Sequence, residues 1–183
     1  MADNGSFFLD YRAPFITTDV AAVTLAATNK ALYPVGNVPA MGKDYWYVGK
    51  KVAIRAFGRI TTVLTPGNGT LALFYGTGAD ANGTSLAATA AHALIASQTN
   101  LSWMVYLYVH CRAIGTAGSL LVDGWMKYNE SIVAATQMIP ASAPAAVTVD
   151  LTVASNILSI QYLRSGSTAE TMQIHDLEMI PMN

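Results

Sequence analysis

Apolar and polar side chains alternate with a period of two through most of this chain, and most regularly from Trp103 to Tyr128. Trp103, Val105, Leu107, Val109, Cys111 and Ala113 fall on one face, and Met104, Tyr106, Tyr108, His110 and Arg112 on the other. Successive side chains of an extended backbone point to opposite sides, so this alternation predicts a strand. Gly115, Thr116, Ala117 and Gly118 break the pattern, and Leu120, Val122, Gly124, Met126 and Tyr128 resume it. The pair reads as a hairpin.

The same period recurs elsewhere. Lys51–Val63 sets Val52, Ile54, Ala56, Gly58 and Ile60 against Arg55, Phe57, Arg59 and Thr61, and Thr65-Pro66-Gly67-Asn68-Gly69 then turns the chain into Leu71, Leu73 and Tyr75. Val147–Val153, Asn156–Arg164 and Thr171–Ile180 alternate as well, whereas Asp19–Thr28 does so only weakly, through Val23 and Leu25. Gly76–Ser85 reads as a polar loop and the Ala-rich Leu86–Ser97 as an extended strip. About eight strands with connections suited to antiparallel pairing, and no βαβ rhythm, predict an all-β fold. Several long crossovers favour a two-sheet antiparallel β-sandwich of jelly-roll type over a meander. Residues 20–183 form the expected single domain. Residues 1–19, with Phe7, Phe8, Tyr11 and Phe15 among Asp10, Arg12 and Pro14, read either as an N-terminal arm packed on its own sandwich or on a neighbour, or as a first edge strand.

Composition bears on partners. Of the 183 residues 52% are hydrophobic and only 11% charged, so the core needs no disulfide or metal, and the surface must be covered by uncharged groups or by another chain. An assembly is therefore expected. The net charge of −1 lacks the basic footprint of a nucleic-acid binder; Lys43, Lys50, Lys51, Arg55 and Arg59 are the nearest approach to one. No apolar run approaches the length of a membrane span, and Met-Ala-Asp-Asn-Gly-Ser at the start has no basic region leading into an apolar one, so neither a membrane nor a secretory signal is expected. Synthesis in a cytoplasm follows as an expectation, and with it unmodified Asn-x-Ser/Thr triplets at Asn4, Asn68, Asn82, Asn100 and Asn129; three of these begin Asn-Gly, which reads as turns.

Catalytic chemistry finds little support. His92, His110 and His175 share no metal-ligand spacing, and the single Cys111 lies on the apolar strand face, as a buried inert thiol. Asp176 and Glu178 share a strand face, as a glycosidase pair would, but solvated acids are the simpler expectation. Asp80-Ala81-Asn82-Gly83 resembles the front of a calcium loop without the distal glutamate, and reads as a turn. No enzyme activity, catalytic residue, metal or cofactor is expected. Two groups of residues are candidates for contacts instead. Tyr45, Trp46 and Tyr47 lie in a long irregular connection, Asn29–Gly49, where they either touch a partner or plug one end of the sandwich. Tyr106, Tyr108, His110 and Arg112 are either the second buried face of an inner strand or a flat aromatic platform for a sugar or a neighbouring subunit.

The succession Val48-Gly49-Lys50-Lys51, Ala56-Phe57-Gly58-Arg59-Ile60-Thr61-Thr62, Thr65-Pro66-Gly67, Leu71-Ala72-Leu73, Gly76, and then Trp103 leading to Arg112-Ala113-Ile114-Gly115 resembles small structural proteins of tailed bacteriophages. The likeness is one of pattern and covers roughly residues 45 to 180. It implies a jelly-roll sandwich serving as a capsid decoration or cement protein: a homo-oligomer, in that family a trimer, that binds the major capsid protein and sits on the virion surface. Phe7, Phe8, Tyr11, Phe15 and Tyr45 to Tyr47 would then grip the shell. Related sandwiches in head fibres and tail tips supply the alternative, a carbohydrate- or receptor-binding module. The resemblance carries no active-site residues.

Overall fold

The computed structural model describes residues 20–133, 135–165 and 170–182. The arm residues Phe7, Phe8, Tyr11 and Phe15 lie outside the described residues. The chain is an all-β sandwich of two antiparallel sheets. Sheet A contains β1 (Val23–Thr24), β3 (Lys51–Thr61), β7 (Leu101–Ala113), β8 (Gly118–Tyr128), β9 (Gln137–Ile139), β10 (Val147–Val149) and β12 (Thr171–Met182). Its order is β1-β12-β3-β7-β8-β10, with β9 also on β8. Sheet B contains β2 (Lys30–Ala31), β4 (Asn68–Gly76), β5 (Thr84–Ala88), β6 (His92–Ala93) and β11 (Ile157–Arg164). Its order is β2-β11-β4-β5, with β6 also on β4. The pairs β3/β12 and β4/β11 are nested, the arrangement a rolled hairpin gives, while β7 and β8 stay side by side in one sheet.

The hairpin expected from the alternation is β7–β8, and its inward face is the middle of the core. Trp103, Val105, Leu107, Val109 and Cys111 are fully buried, with Leu120, Val122, Met126 and Tyr128 beside them. Sheet B meets them with Leu71, Leu73 and Tyr75 of β4, paired to Tyr162, Ile160 and Leu158 of β11. Burial of these apolar side chains supplies the main stabilisation.

Three local expectations change. The weak Asp19–Thr28 strand shrinks to Val23–Thr24, because around it the backbone makes isolated bonds, Val20 N–H to Ile174 O and Leu25 N–H to Glu170 O, instead of a ladder. The Val147–Val153 strand stops at Val149, where Asp150 accepts hydrogen bonds from the Thr152 backbone N–H (2.8 Å) and hydroxyl (2.6 Å); such local bonds compete with a ladder. Asn68-Gly69, expected in a turn, already belongs to β4. Gly69 leaves room for a side chain of the neighbouring strand β11: a Cβ there would lie 1.8 Å from the Tyr162 hydroxyl.

The two outer faces differ, and that difference positions the site. On sheet B, Ser159 and Gln161 point outward yet are fully buried under the loop between β4 and β5. Gln161 accepts from Ala81 N–H (3.0 Å) and donates to Ala79 O (3.1 Å), while Asp80 accepts from Lys30 Nζ (2.7 Å) and Ala31 N–H (2.8 Å). The Asp80–Gly83 segment is thus a cover for sheet B. Tyr33 completes it: its hydroxyl accepts from Ile160 N–H and donates to Leu158 O, replacing a strand partner beyond the end of β2. Among the described residues, none covers the outer face of sheet A in this way.

Candidate functional site

Strand parity decides what the open face of sheet A displays. Phe57, Met104, Tyr108, Met138 and Met182, each between 40% and 62% exposed, all carry side chains on it. An apolar set gathered on one face differs from the scattered exposed apolar residues normal for any protein. The side chains on this face are ordered in rows across the strands. One row runs Met138 (β9), Trp125 (β8), Tyr106 (β7), Arg55 (β3), Glu178 (β12). Tyr106 and Trp125 stack with centroids 4.7 Å apart, the Arg55 guanidinium lies 5.4 Å from the Tyr106 ring centroid, and Arg55 pairs with Glu178 at 3.3 Å. Gly124, opposite the inward Leu107, lets the β8 backbone approach β7 closely beneath the stack: its φ is +153°, and a Cβ would fall 2.1 Å from the Tyr106 carbonyl oxygen.

The neighbouring rows are Lys127, Met104, Phe57, Asp176 on one side and Asp123, Tyr108, Ala53, Ile180 on the other. Shallow troughs flank the central row. The larger, about 270 Å³, lies over Ala53 between Tyr106, Tyr108, Ile180 and Met182; the other, about 230 Å³, lies between Phe57, Met104, Asp176 and Glu178. His110 Nε2 sits 2.9 Å from Asp123 Oδ2, and Arg112 is exposed at the end of β7. Among the described residues, Tyr108 and Arg112 are exposed and Tyr106 and His110 half-buried. Asp176 and Glu178 take part as charges beside Phe57 and Arg55, facing no third acid among the described residues of the neighbouring strands.

The aromatics of the irregular connection divide. Trp46 is 7% exposed, its indole N–H donates to Met41 O, and its ring meets Tyr45 and Tyr75 edge-on with centroids 5.0 and 6.4 Å away. Tyr75 donates to the same Met41 carbonyl (2.7 Å), and burial pushes its hydroxyl up to about 12. Trp46 therefore plugs the sandwich end and is withdrawn from the contact patch. Tyr45 packs partly buried against the core, whereas Tyr47 and Val48 remain at the surface. Lys50 is buried beneath these rings: its Nζ donates to Tyr45 O (2.8 Å) and sits 3.6 Å from the centre of the Tyr45 ring. Burial holds its pKa below the usual lysine value, and pushes the Cys111 thiol up. Lys50 thus leaves the basic cluster suggested by Lys43, Lys51, Arg55 and Arg59.

A polar thread crosses the core between the sheets. His92 Nδ1 lies 3.1 Å from Ala90 O and Nε2 lies 2.8 Å from the Tyr128 hydroxyl, which lies 2.7 Å from that of Tyr162. Burial lowers the His92 pKa and raises both tyrosines. Arg164 and Glu170, both buried, pair at 2.6 Å, and Glu170 also accepts from Gly67 N–H. These groups are buried and join strands. Among the described residues, no three His, Cys, Asp or Glu side chains gather to hold a metal ion, and no helix is long and apolar enough to cross a membrane.

Sequence reasoning marked Tyr106 and Tyr108 but missed Trp125, Arg55, Phe57 and Met138 as members of the same surface. The available signal was parity: Trp125 is out of phase with the buried Val122, Met126 and Tyr128 by the period of its own strand. No protein-family model, curated protein or solved structure matches the chain.

Proposed function

We propose that this chain is a virion structural protein of the capsid decoration or cement kind, a non-enzymatic sandwich that associates with its own copies and binds a major capsid protein lattice. The observation that carries this reading is the open outer face of sheet A, where Phe57, Met104, Tyr108, Met138 and Met182 surround the Tyr106–Trp125 stack. Apolar and aromatic side chains with Arg among them are what interface cores contain. The low charge of the whole chain, 11%, supports the same conclusion. Tyr47 and Val48 at the loop tip offer a separate contact to the shell beneath. Individually weak contacts suffice when symmetry repeats them over a lattice. The jelly-roll assignment belongs to this reading and draws on the nested β3/β12 and β4/β11 pairs. The site of action would be the capsid surface, after synthesis in the host cytoplasm.

The test is co-sedimentation of purified protein with undecorated capsids of the encoding virus. Saturable binding that raises the capsid melting temperature is expected. Absence of binding, with the sandwich folded, overturns the reading. A second reading, a carbohydrate- or receptor-binding module of a head fibre or tail tip, is favoured by the half-exposed Tyr106–Trp125 stack, since aromatic faces hold sugar rings. Glycan-array binding lost in Trp125→Ala would support it, and an array without hits would remove it.

A further inference from the structure

We infer that a second copy of this chain packs face to face on the outer surface of sheet A, about a two-fold axis parallel to the strands and lying between β3 and β7. The inference rests on the self-association proposed above and specifies its geometry. Such an axis keeps each row of side chains level and reverses its order, so β8 meets β12 of the other copy and β7 meets β3. In the row Lys127, Met104, Phe57, Asp176, this sets Lys127 against Asp176 and Met104 against Phe57. In the central row it sets Arg55 against Tyr106, a cation over an aromatic face. In the next row the large Tyr108 meets the small Ala53, over which lies the trough of about 270 Å³. In the last row Leu121 meets Met182.

The same axis sets Asp123 against Ile180, Glu178 against Trp125 and His110 against Lys51; Asp123 and Glu178 keep partners in their own chain, His110 at 2.9 Å and Arg55 at 3.3 Å, so the matched oppositions are the Lys127–Asp176 charges, Arg55 with Tyr106, the apolar Met104–Phe57 and Leu121–Met182 pairs, and Tyr108 over Ala53. The other two-fold axis in the plane, perpendicular to the strands, reverses the row order instead. Placed on the central row it would set Arg55 against Arg55 and Glu178 against Glu178 of the other copy; placed half a row toward Tyr108 it would set Lys127 against Leu121 and Asp176 against Met182, and either way charges are buried beside like charges or apolar groups. Sheets packed face to face stand about 10 Å apart and rotate by about 30°, within the reach of Lys, Arg and Tyr side chains. An isologous contact of this kind closes on itself and yields a dimer. It differs from the trimer implied by the phage-protein resemblance.

Sedimentation equilibrium on the full chain tests the arrangement with charge reversal. Wild-type protein is expected at dimer mass, Lys127→Asp and Asp176→Lys each to raise the dissociation constant by roughly tenfold or more, and the double variant to restore it, because like charges then meet nowhere in either copy. Tyr108→Ala, which removes a ring already 40% exposed in the single chain, is expected to weaken the dimer while leaving the fold intact by circular dichroism. A monomer or trimer mass, single reversals without effect, or a double variant no better than the singles overturns the two-fold pairing. Capsid binding is read in a separate assay, so a dimer that ignores capsids contradicts the decoration reading alone, and a monomer or trimer that binds them contradicts this inference alone.

Discussion

Tyr106 of β7 and Trp125 of β8 stack as direct cross-strand neighbours, with their planes inclined by 30°, on a face that no described segment of the chain covers. Aromatic pairs of this geometry contribute about 0.5–1.5 kcal/mol beyond the area they bury. Trp125→Ala is therefore expected to lower the free energy of unfolding by about 1–2 kcal/mol in urea titrations, a modest loss for a tryptophan. The same variant should abolish association, which separates a surface role from a core role.

Trp46 behaves oppositely. Its ring is enclosed by Tyr45 and Tyr75, and Trp46→Ala should cost about 3–5 kcal/mol of stability in the same titration. Tyr47→Ala, one residue along and exposed, should stay within about 0.5 kcal/mol of wild type. Equal effects of the two substitutions would contradict the plug assignment.

The His92–Tyr128–Tyr162 thread makes stability depend on pH. Burial depresses the folded-state pKa of His92 below its ordinary 6.5, so between the two values the unfolded chain binds more protons than the folded one. Stability from this group is complete above the unfolded value and declines as pH falls from 6.5 toward the folded value. Denaturation midpoints from pH 8 to about pH 5 should drop less steeply for His92→Gln than for wild type. Parallel pH profiles would show that His92 does not carry the effect.

The Arg164–Glu170 pair should be costly to halve and cheaper to replace whole. Arg164→Met removes the cation paired with the buried Glu170 carboxylate and is expected to cost about 3–5 kcal/mol, measured by thermal or urea unfolding. Arg164→Met with Glu170→Leu should recover a large part of that loss, since no charge is then left unpaired.

Much of the sandwich was legible in the sequence, because a buried strand face imposes a period of two; Trp103 to Cys111 by alternate residues and Leu120, Val122, Met126 and Tyr128 all point inward as read. The short strands were not, since Val23–Thr24 and Val147–Val149 end where single hydrogen bonds, notably those of Asp150, outcompete a ladder. Tyr106 and Tyr108 could be marked from their own strand alone. Their association with Trp125, Arg55 and Glu178 could not, because it depends on the register between β12, β3, β7 and β8, including a bulge between Ile174 and Asp176. Trp46 lies in an irregular connection without a period, so only its packed surroundings distinguish a plug from a contact.

The central claim is that another chain covers the open face of sheet A. The solution mass of the unmodified protein, measured by sedimentation equilibrium from micromolar to millimolar concentration, tests it most directly. A mass that is a multiple of the 19.4 kDa chain, reduced to a single chain by Trp125→Ala with Tyr108→Ala, is the predicted result. A single-chain mass across the whole range would contradict it.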